Sequence, residues 1–254
     1  MRRRDDRHSR LAAQMIEPSK GGATRFLTDA RVVLDWSPPT EETLAGRALI
    51  LTAANLIVRF APGLRLGHRS SFADVVAELI SGIDSTTAPF SPAGDAPISV
   101  RIGAGGVMRH VAGSADGWTA IVSGSGDDVP DVAESTNVFG ALAAAAIVAS
   151  EVFRHVLPVS ERYRWHAPLT AYSVFEYDRP SFVPPTIARP DLRTTPLLVG
   201  VGAIGQACID ALAWSEARGT IRCVDKGYVD DETNLNRSVL ALEEDLDARR
   251  PKWT

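Results

Sequence analysis

The sequence predicts an α/β protein in which a mixed α/β N-terminal part is followed by a Rossmann-like nucleotide-binding segment. Three observations carry this. First, "LLVGVGAIGQ" at 197–206 is an apolar run that breaks into Gly200, Gly202 and Gly205 and leads into a helical pattern. Second, "PISVRI" at 97–102, a buried strand or short helix, and "GWTAIVSGSG" at 117–126, a strand ending in a Gly/Ser turn, are mixed with helical runs such as "SFADVVAELISGI" at 71–83. Third, a proline-rich stretch without periodicity separates the two parts.

Within the first part, "ALILTAANLIV" at 48–58 reads as a buried strand or a short helix. The helix over 71–83 has Ser70 or Ser71 as its cap and Gly82 near its end. "DSTTAPFSPAGDAP" at 84–97 is a surface excursion, and "GAGG" at 103–106 is a turn. Residues 137–157, "NVFGALAAAAIVASEVFRHVL", form the strongest helix, opened by Asn137 and stopped by Pro158, and apolar enough to be buried on several sides. "LTAYSVFEY" at 169–177 alternates like a strand, and "DRPSFVPPTIARPDLRTTP" at 178–196 reads as a linker. The chain therefore divides into 1–177, the linker 178–196, and 197–254.

Composition narrows the function classes. With 254 residues, 45% apolar, 23% charged and a net charge of -4, the chain is near the average for globular proteins. Nothing calls for a nucleic-acid or membrane-surface partner. The opening "MRRRDDRHSR" alternates basic and acidic residues and reads as a frayed terminus, not a signal peptide. "FGALAAAAIVASEVF" is short for a bilayer span and interrupted by polar residues. Cys208 and Cys223 have neither disulfide-framework nor zinc spacing, so a reduced, cytoplasmic protein is expected, both thiols buried and structural.

The chemistry concentrates past the linker. A strand feeding G-x-G-x-x-G and then a helix sets backbone N–H groups and a helix N-terminus where a polyphosphate can sit, and glycines keep Cβ atoms out of its way. The helix carries Ile204, Cys208, Ala211 and Leu212 on one face, with Gly219 as its stop. "TIRCVD" at 220–225 is a second strand ending in Asp225, twenty residues after Gly205, where an acid accepts from ribose hydroxyls. A tight turn without a ligand, and a capping role for Asp225, are plainer readings of the same residues. Next comes "GYVDDETNLNRS" at 227–238, a polar loop with Asn234 and Arg237. A guanidinium there suits a triphosphate, which it can brace at the β- and γ-oxygens; NAD does not need one.

These residues carry a resemblance. Residues 197–252 resemble the first half of the adenylating domain of ubiquitin-activating-type enzymes, the ThiF/MoeB superfamily. That pattern is a glycine loop, an aspartate ending the second strand, an N-L-x-R segment and a later lysine. Gly200, Gly202, Gly205, Asp225, "NLNR" at 234–237 and "PK" at 251–252 meet it, over about a fifth of the chain.

The resemblance implies ATP-dependent adenylation of the C-terminal carboxylate of a ubiquitin-like or sulfur-carrier protein. Asp225 would hold the ribose, Asn234 and Arg237 the phosphates, and Lys252 would add positive charge, so that Arg237 and Lys252 serve the reaction itself. Arg237→Ala is then expected to abolish pyrophosphate exchange while leaving the fold intact. Turn-shaping, surface pairing and simple solvation are the plainer roles of Asn234, Arg237 and Lys252. There are departures from the pattern: the second acid two residues after the aspartate is Gly227 here, and the spacings to Asn234 and to Lys252 run slightly long. The family carries its Mg²⁺-binding aspartate on a later strand and any catalytic cysteine later still, so no metal ligand is assigned and the chain is expected to be cut within the adenylating domain.

Family members commonly pair, so a homo- or heterodimer is expected. The helix at 137–157 is similar to the long apolar helix that closes many such domains, which would make residues 40–175 a degenerate adenylating half without a glycine loop. An oxidoreductase using NAD or FAD on the same loop, and an inactive truncated interaction module, are the alternatives.

Overall fold

Alternation sets the first strand. In β1 (Val32–Trp36) the side chains of Val32, Leu34 and Trp36 are buried, while Val33 and Asp35 are only partly so, the period-two pattern of a strand. The computed structural model describes residues 26–27, 29–90, 98–105, 109–157, 166–181, 190–230, 234–235 and 238–252. After Ser37 two prolines fit the first turn of the short α1 (Pro38–Glu42), which runs into α2 (Leu44–Val58). The run at 48–58, open between strand and helix, is thus helix: Thr43 caps it by accepting from Gly46 N at 2.9 Å, and its length exceeds that of ordinary strands.

The chain continues through β2 (Leu64–Leu66), α3 (Ser71–Ile83), β3 (Ile98–Ile102), β4 (Val111–Asp116), β5 (Thr119–Ser123), α4 (Phe139–Val156) and β6 (Thr170–Ser173). The bounds of α3 match those predicted, with Ser70 Oγ accepting from Ala73 N at 3.0 Å. Asn137 Oδ1 accepts from Phe139 N at the head of α4, while Pro158 lies outside the described residues. β6 stops four residues short of the predicted strand end, because Val174–Tyr177 form a turn in which Tyr177 has φ 58°.

Together these strands make a six-stranded mixed sheet in the order β2-β1-β3-β4-β5-β6. β2, β1, β3 and β4 run parallel, and β5 and β6 are antiparallel to their neighbours. From β1 the chain steps to β2 on one side and then across to β3 on the other, so the order reverses between β1 and β3. Helices α2 and α4 pack on each other and on the sheet. Buried alanines at 48, 53 and 54 on α2 and at 141, 144 and 145 on α4 let their backbones approach. That burial accounts for the apolar composition of α4, the one described helix long and apolar enough to cross a membrane.

Three histidines meet at the end of this sheet. His155 and His166 stack with ring centroids 3.9 Å apart, and His110 stands edge-on to His155 at 5.6 Å. Buried Glu151 accepts from Arg154 Nη1 at 2.9 Å and lies 3.3 Å from His166 Nδ1. Burial, and then the neighbouring His166 and His110, hold His155 below the usual imidazole range, against the Gly124 carbonyl and Glu151 acting upward. A lowered folded-state value means stability that is complete above the unfolded value, about 6.5, and lost as the pH falls through the folded one. The melting temperature is therefore expected to fall between about pH 7 and about pH 5, and His155→Phe to flatten that slope. An equal slope in the variant would show that the imidazole of His155 is not the group responsible.

The C-terminal part comprises β7 (Asp191–Leu192), β8 (Leu197–Val199), α5 (Ala203–Trp214), β9 (Arg218–Gly219), β10 (Arg222–Val224) and α6 (Glu243–Asp247). β8 pairs in parallel with β10, and β7 with β9. The predicted linker is therefore connector only in part, since β7 falls within it. Gly219 is not the helix stop: α5 ends at Trp214 with Ser215 as its C-cap, and Gly219 sits in β9 with φ 123°.

The expected burial of both thiols is also overturned. Ile204 is 82% exposed and Cys208 is exposed, with Cys223 partly so; only Gly205 and Gln206 of the helix are buried. The cause is geometric: a two-stranded sheet is too narrow to cover a helix face. On its far side Leu197, Val199 and Val224 are exposed as well.

Candidate functional site

The predicted strand, glycine loop, helix, strand and acid follow one another as expected. Leu198 and Val199 pair with Cys223 and Val224, and Gly200 N extends the ladder by donating to Val224 O at 2.8 Å. Gly200 then turns with φ 89°, a conformation that favours glycine. Gly202 is the N-cap of α5, and no side chain caps the helix there, so its first N–H groups are not met by a capping side chain. A Cβ on Gly205 would stand 2.3 Å from the carbonyl oxygen of Gly200, so only glycine lets the loop close onto the helix. Among the described residues a Cβ on Gly200 or Gly202 would meet nothing within 4 Å. The loop thus faces open space on one side and is tightly packed on the other.

Asp225, at the end of β10, is tied to that loop. Its Oδ2 accepts from Val201 N and its Oδ1 from Gly227 N, each at 2.6 Å. Those two donors, Gly227 first, together with the ammonium of Lys252, hold the carboxyl below the usual range. Each oxygen keeps a lone pair for a further donor.

The 250–252 strip returns beside it. Val229 N donates to Arg250 O at 2.9 Å and Lys252 N to Gly227 O at 3.2 Å. Lys252 Nζ and Asp225 Oδ1 flank the point where a Cβ on Gly227 would stand, at 3.1 and 3.0 Å. A side chain at 227 would therefore stand close against the pair, which would have to give by a few tenths of an ångström.

Asn234 bonds within its own stretch of chain. It is 1% exposed, its Nδ2 donates to Asp230 Oδ1 at 3.1 Å, and its carbonyl accepts from Ser238 N. Arg237 lies outside the described residues. Gly200, Gly202, Gly205, Asp225 and Lys252 are therefore brought together, and Asn234 supports the turn beside them.

Gln206 escaped the sequence reading. Buried in the first turn of α5, it accepts from Leu240 N at 3.0 Å and joins the 234–241 turn to the glycine loop. A polar residue beside the last glycine, at a position helical packing would bury, is the signal that could have found it.

A second crevice lies where the strand order of the large sheet reverses, the place where open α/β sheets commonly bind ligands. Here it is filled. Asp131 Oδ1 accepts from Ser37 Oγ at 2.5 Å and from Ala104 N at 2.9 Å, and Ser37 Oγ lies 2.7 Å from Thr40 Oγ1. Beside them Asp35 joins His68 at 2.8 Å and Arg101 at 2.5 Å, and Glu41 accepts from Trp36 Nε1 and Ser70 Oγ. Every one of these groups is engaged by the protein itself. Neither the family models nor the curated protein sequences include a match to this chain.

Proposed function

We propose that the chain carries the nucleotide-binding part of an ATP-dependent adenylating enzyme of the ThiF/MoeB type, with a Rossmann-like unit at 197–254. In that reaction the C-terminal carboxylate of a ubiquitin-like or sulfur-carrier protein attacks the α-phosphorus of ATP, giving an acyl-adenylate and pyrophosphate. The observation that carries the reading is the placement of Lys252 beside Asp225, next to an uncapped helix start and a glycine loop open on one side. The loop N–H groups bind phosphate oxygens, Asp225 accepts from the ribose, and Lys252 and Arg237 offset the charge of the triphosphate and of departing pyrophosphate. Catalysis then rests on alignment and charge, without a general base. Among the described residues no group of three or more His, Cys, Asp or Glu side chains is arranged to hold a metal ion, and no step is assigned to Mg²⁺.

Titration calorimetry of the whole chain with ATP, NAD and FAD in the presence of Mg²⁺ tests this. ATP is expected to bind, and more tightly than either dinucleotide. Tighter binding of NAD or FAD would favour an oxidoreductase, and no binding of any of the three an interaction module.

Two further features fit the same proposal. The order β2-β1-β3-β4, with its reversal crevice filled by Ser37, Thr40 and Asp131, supports a degenerate adenylating half in the first part of the chain. The exposed Leu197, Val199, Val224 and Ile204 support pairing with a second chain, since parallel sheets are ordinarily covered on both faces. Sedimentation of the chain is expected to show association that Val199→Lys weakens; identical behaviour of the two would remove this face from the contact.

A further inference from the structure

The turn that carries the N-L-N-R motif is held from outside by a residue far away in sequence. Arg59, near the end of α2, is 3% exposed. Its Nη1 donates to Leu235 O, its Nη2 to Val239 O at 3.0 Å and to Ala241 O at 3.2 Å, and its Nε to Asn55 Oδ1 at 2.8 Å. Asn55 Nδ2 adds a second bond to Val239 O, at 2.9 Å. No carboxylate pairs with this guanidinium among the described residues, and burial pushes it down to about 10, still charged at neutral pH. A buried cation without an anion is costly, and an apolar residue would pack there more cheaply. What the fork supplies in return is geometry: three nitrogens spread over one plane reach three carbonyls and Asn55 Oδ1 at once, whereas an ammonium's three donors radiate from a single atom.

Leu235 belongs to the motif and Val239 and Ala241 follow it, so the described backbone is held on both sides of residues 236 and 237 in the chain. On its other flank the same turn donates from Leu240 N to Gln206, the residue after Gly205. A continuous set of hydrogen bonds therefore runs from α2 of the six-stranded sheet, through the 234–241 turn, to the first turn of the helix behind the glycine loop.

We propose that Arg59, steadied by Asn55, is a positioning residue for the N-L-N-R segment, and that the six-stranded domain thereby sets the affinity of the glycine-loop unit for ATP. This rests on the adenylating reading. Arg59 touches no reacting atom; it acts through the turn.

The test uses the whole chain carrying Arg59→Met, which keeps the buried stem and removes the fork, and Arg59→Lys, which keeps the charge. Amide exchange is expected to accelerate at least about tenfold at Ser238, Leu240 and Ala241, with β1, β3 and α4 unchanged. The dissociation constant for ATP is expected to rise by about tenfold in both variants, because lysine restores the charge and not the planar spread of donors that reaches these carbonyls together. Should Arg59→Met fail to fold, Asn55→Ala removes one bond to Val239 O and is expected to shift the same amides, and ATP affinity with them, by a smaller factor. Unchanged exchange at 238–241 would overturn the clamp. Faster exchange with unchanged ATP affinity would overturn its role in the site. If the parent chain binds no ATP, the adenylating reading falls, and exchange alone reports whether the clamp exists.

Discussion

Valine in place of Gly202 is expected to weaken ATP binding by about a hundredfold, close to 3 kcal/mol, with almost no loss of stability. The expectation comes from a separation of two demands on the loop. Gly202 has φ -80° and ψ -161°, an extended conformation that valine adopts readily, and a Cβ there meets no atom of the described residues within 4 Å. Folding therefore has nothing to object to. A ligand does: the side chain would stand at the head of α5, where backbone N–H groups need phosphate oxygens within hydrogen-bonding distance. Gly205→Val is a poor substitute test, because its Cβ would strike the Gly200 carbonyl at 2.3 Å and disturb the loop itself. Calorimetry with ATP alongside urea unfolding of Gly202→Val decides the matter. Parent-like affinity would mean that the phosphates, if bound, lie elsewhere.

Legibility in the sequence followed the locality of the interactions. The β8, glycine loop, α5, β10 and Asp225 series was readable because each piece declares itself within a few residues: an apolar run, glycines where a Cβ would block, then an acid at a strand end. The exposed face of α5 was not, since a helical apolar stripe says only that a partner is wanted, not that one is present. β4 was missed for the opposite reason. "VAGSAD" is poor in branched residues, and its five buried positions owe their place to the packing of α4 and the neighbouring strands. Asn234 shows the limit most clearly. The motif fixed its type and position, but whether its carboxamide faces a ligand or Asp230 depends on how the turn docks. That docking is governed by Arg59, 176 residues before Leu235, and no local pattern could have announced it.

The large sheet offers the converse of Gly202. Gly103 also follows a parallel strand, β3, and turns with φ 77°, but a Cβ there would meet Ser37 Oγ at 2.3 Å, Thr40 Oγ1 at 2.4 Å and Asp131 Oδ1 at 3.0 Å. Gly103→Val is therefore expected to cost about 3 kcal/mol or more, from a left-handed backbone that valine tolerates badly and from the rupture of a buried hydrogen-bonded set. ATP affinity per folded molecule should stay as it was, because this crevice is filled by the chain's own side chains. The two substitutions then separate cleanly: one valine removes ligand and spares the fold, the other harms the fold and spares the ligand. Urea midpoints and ATP titrations on both proteins measure this directly. If Gly103→Val unfolded at the parent midpoint, the contacts of Ser37, Thr40 and Asp131 would not be closing the crevice. If instead it lost ATP affinity while folded, the nucleotide would belong to the large sheet, and its first half would have to be read as the active one.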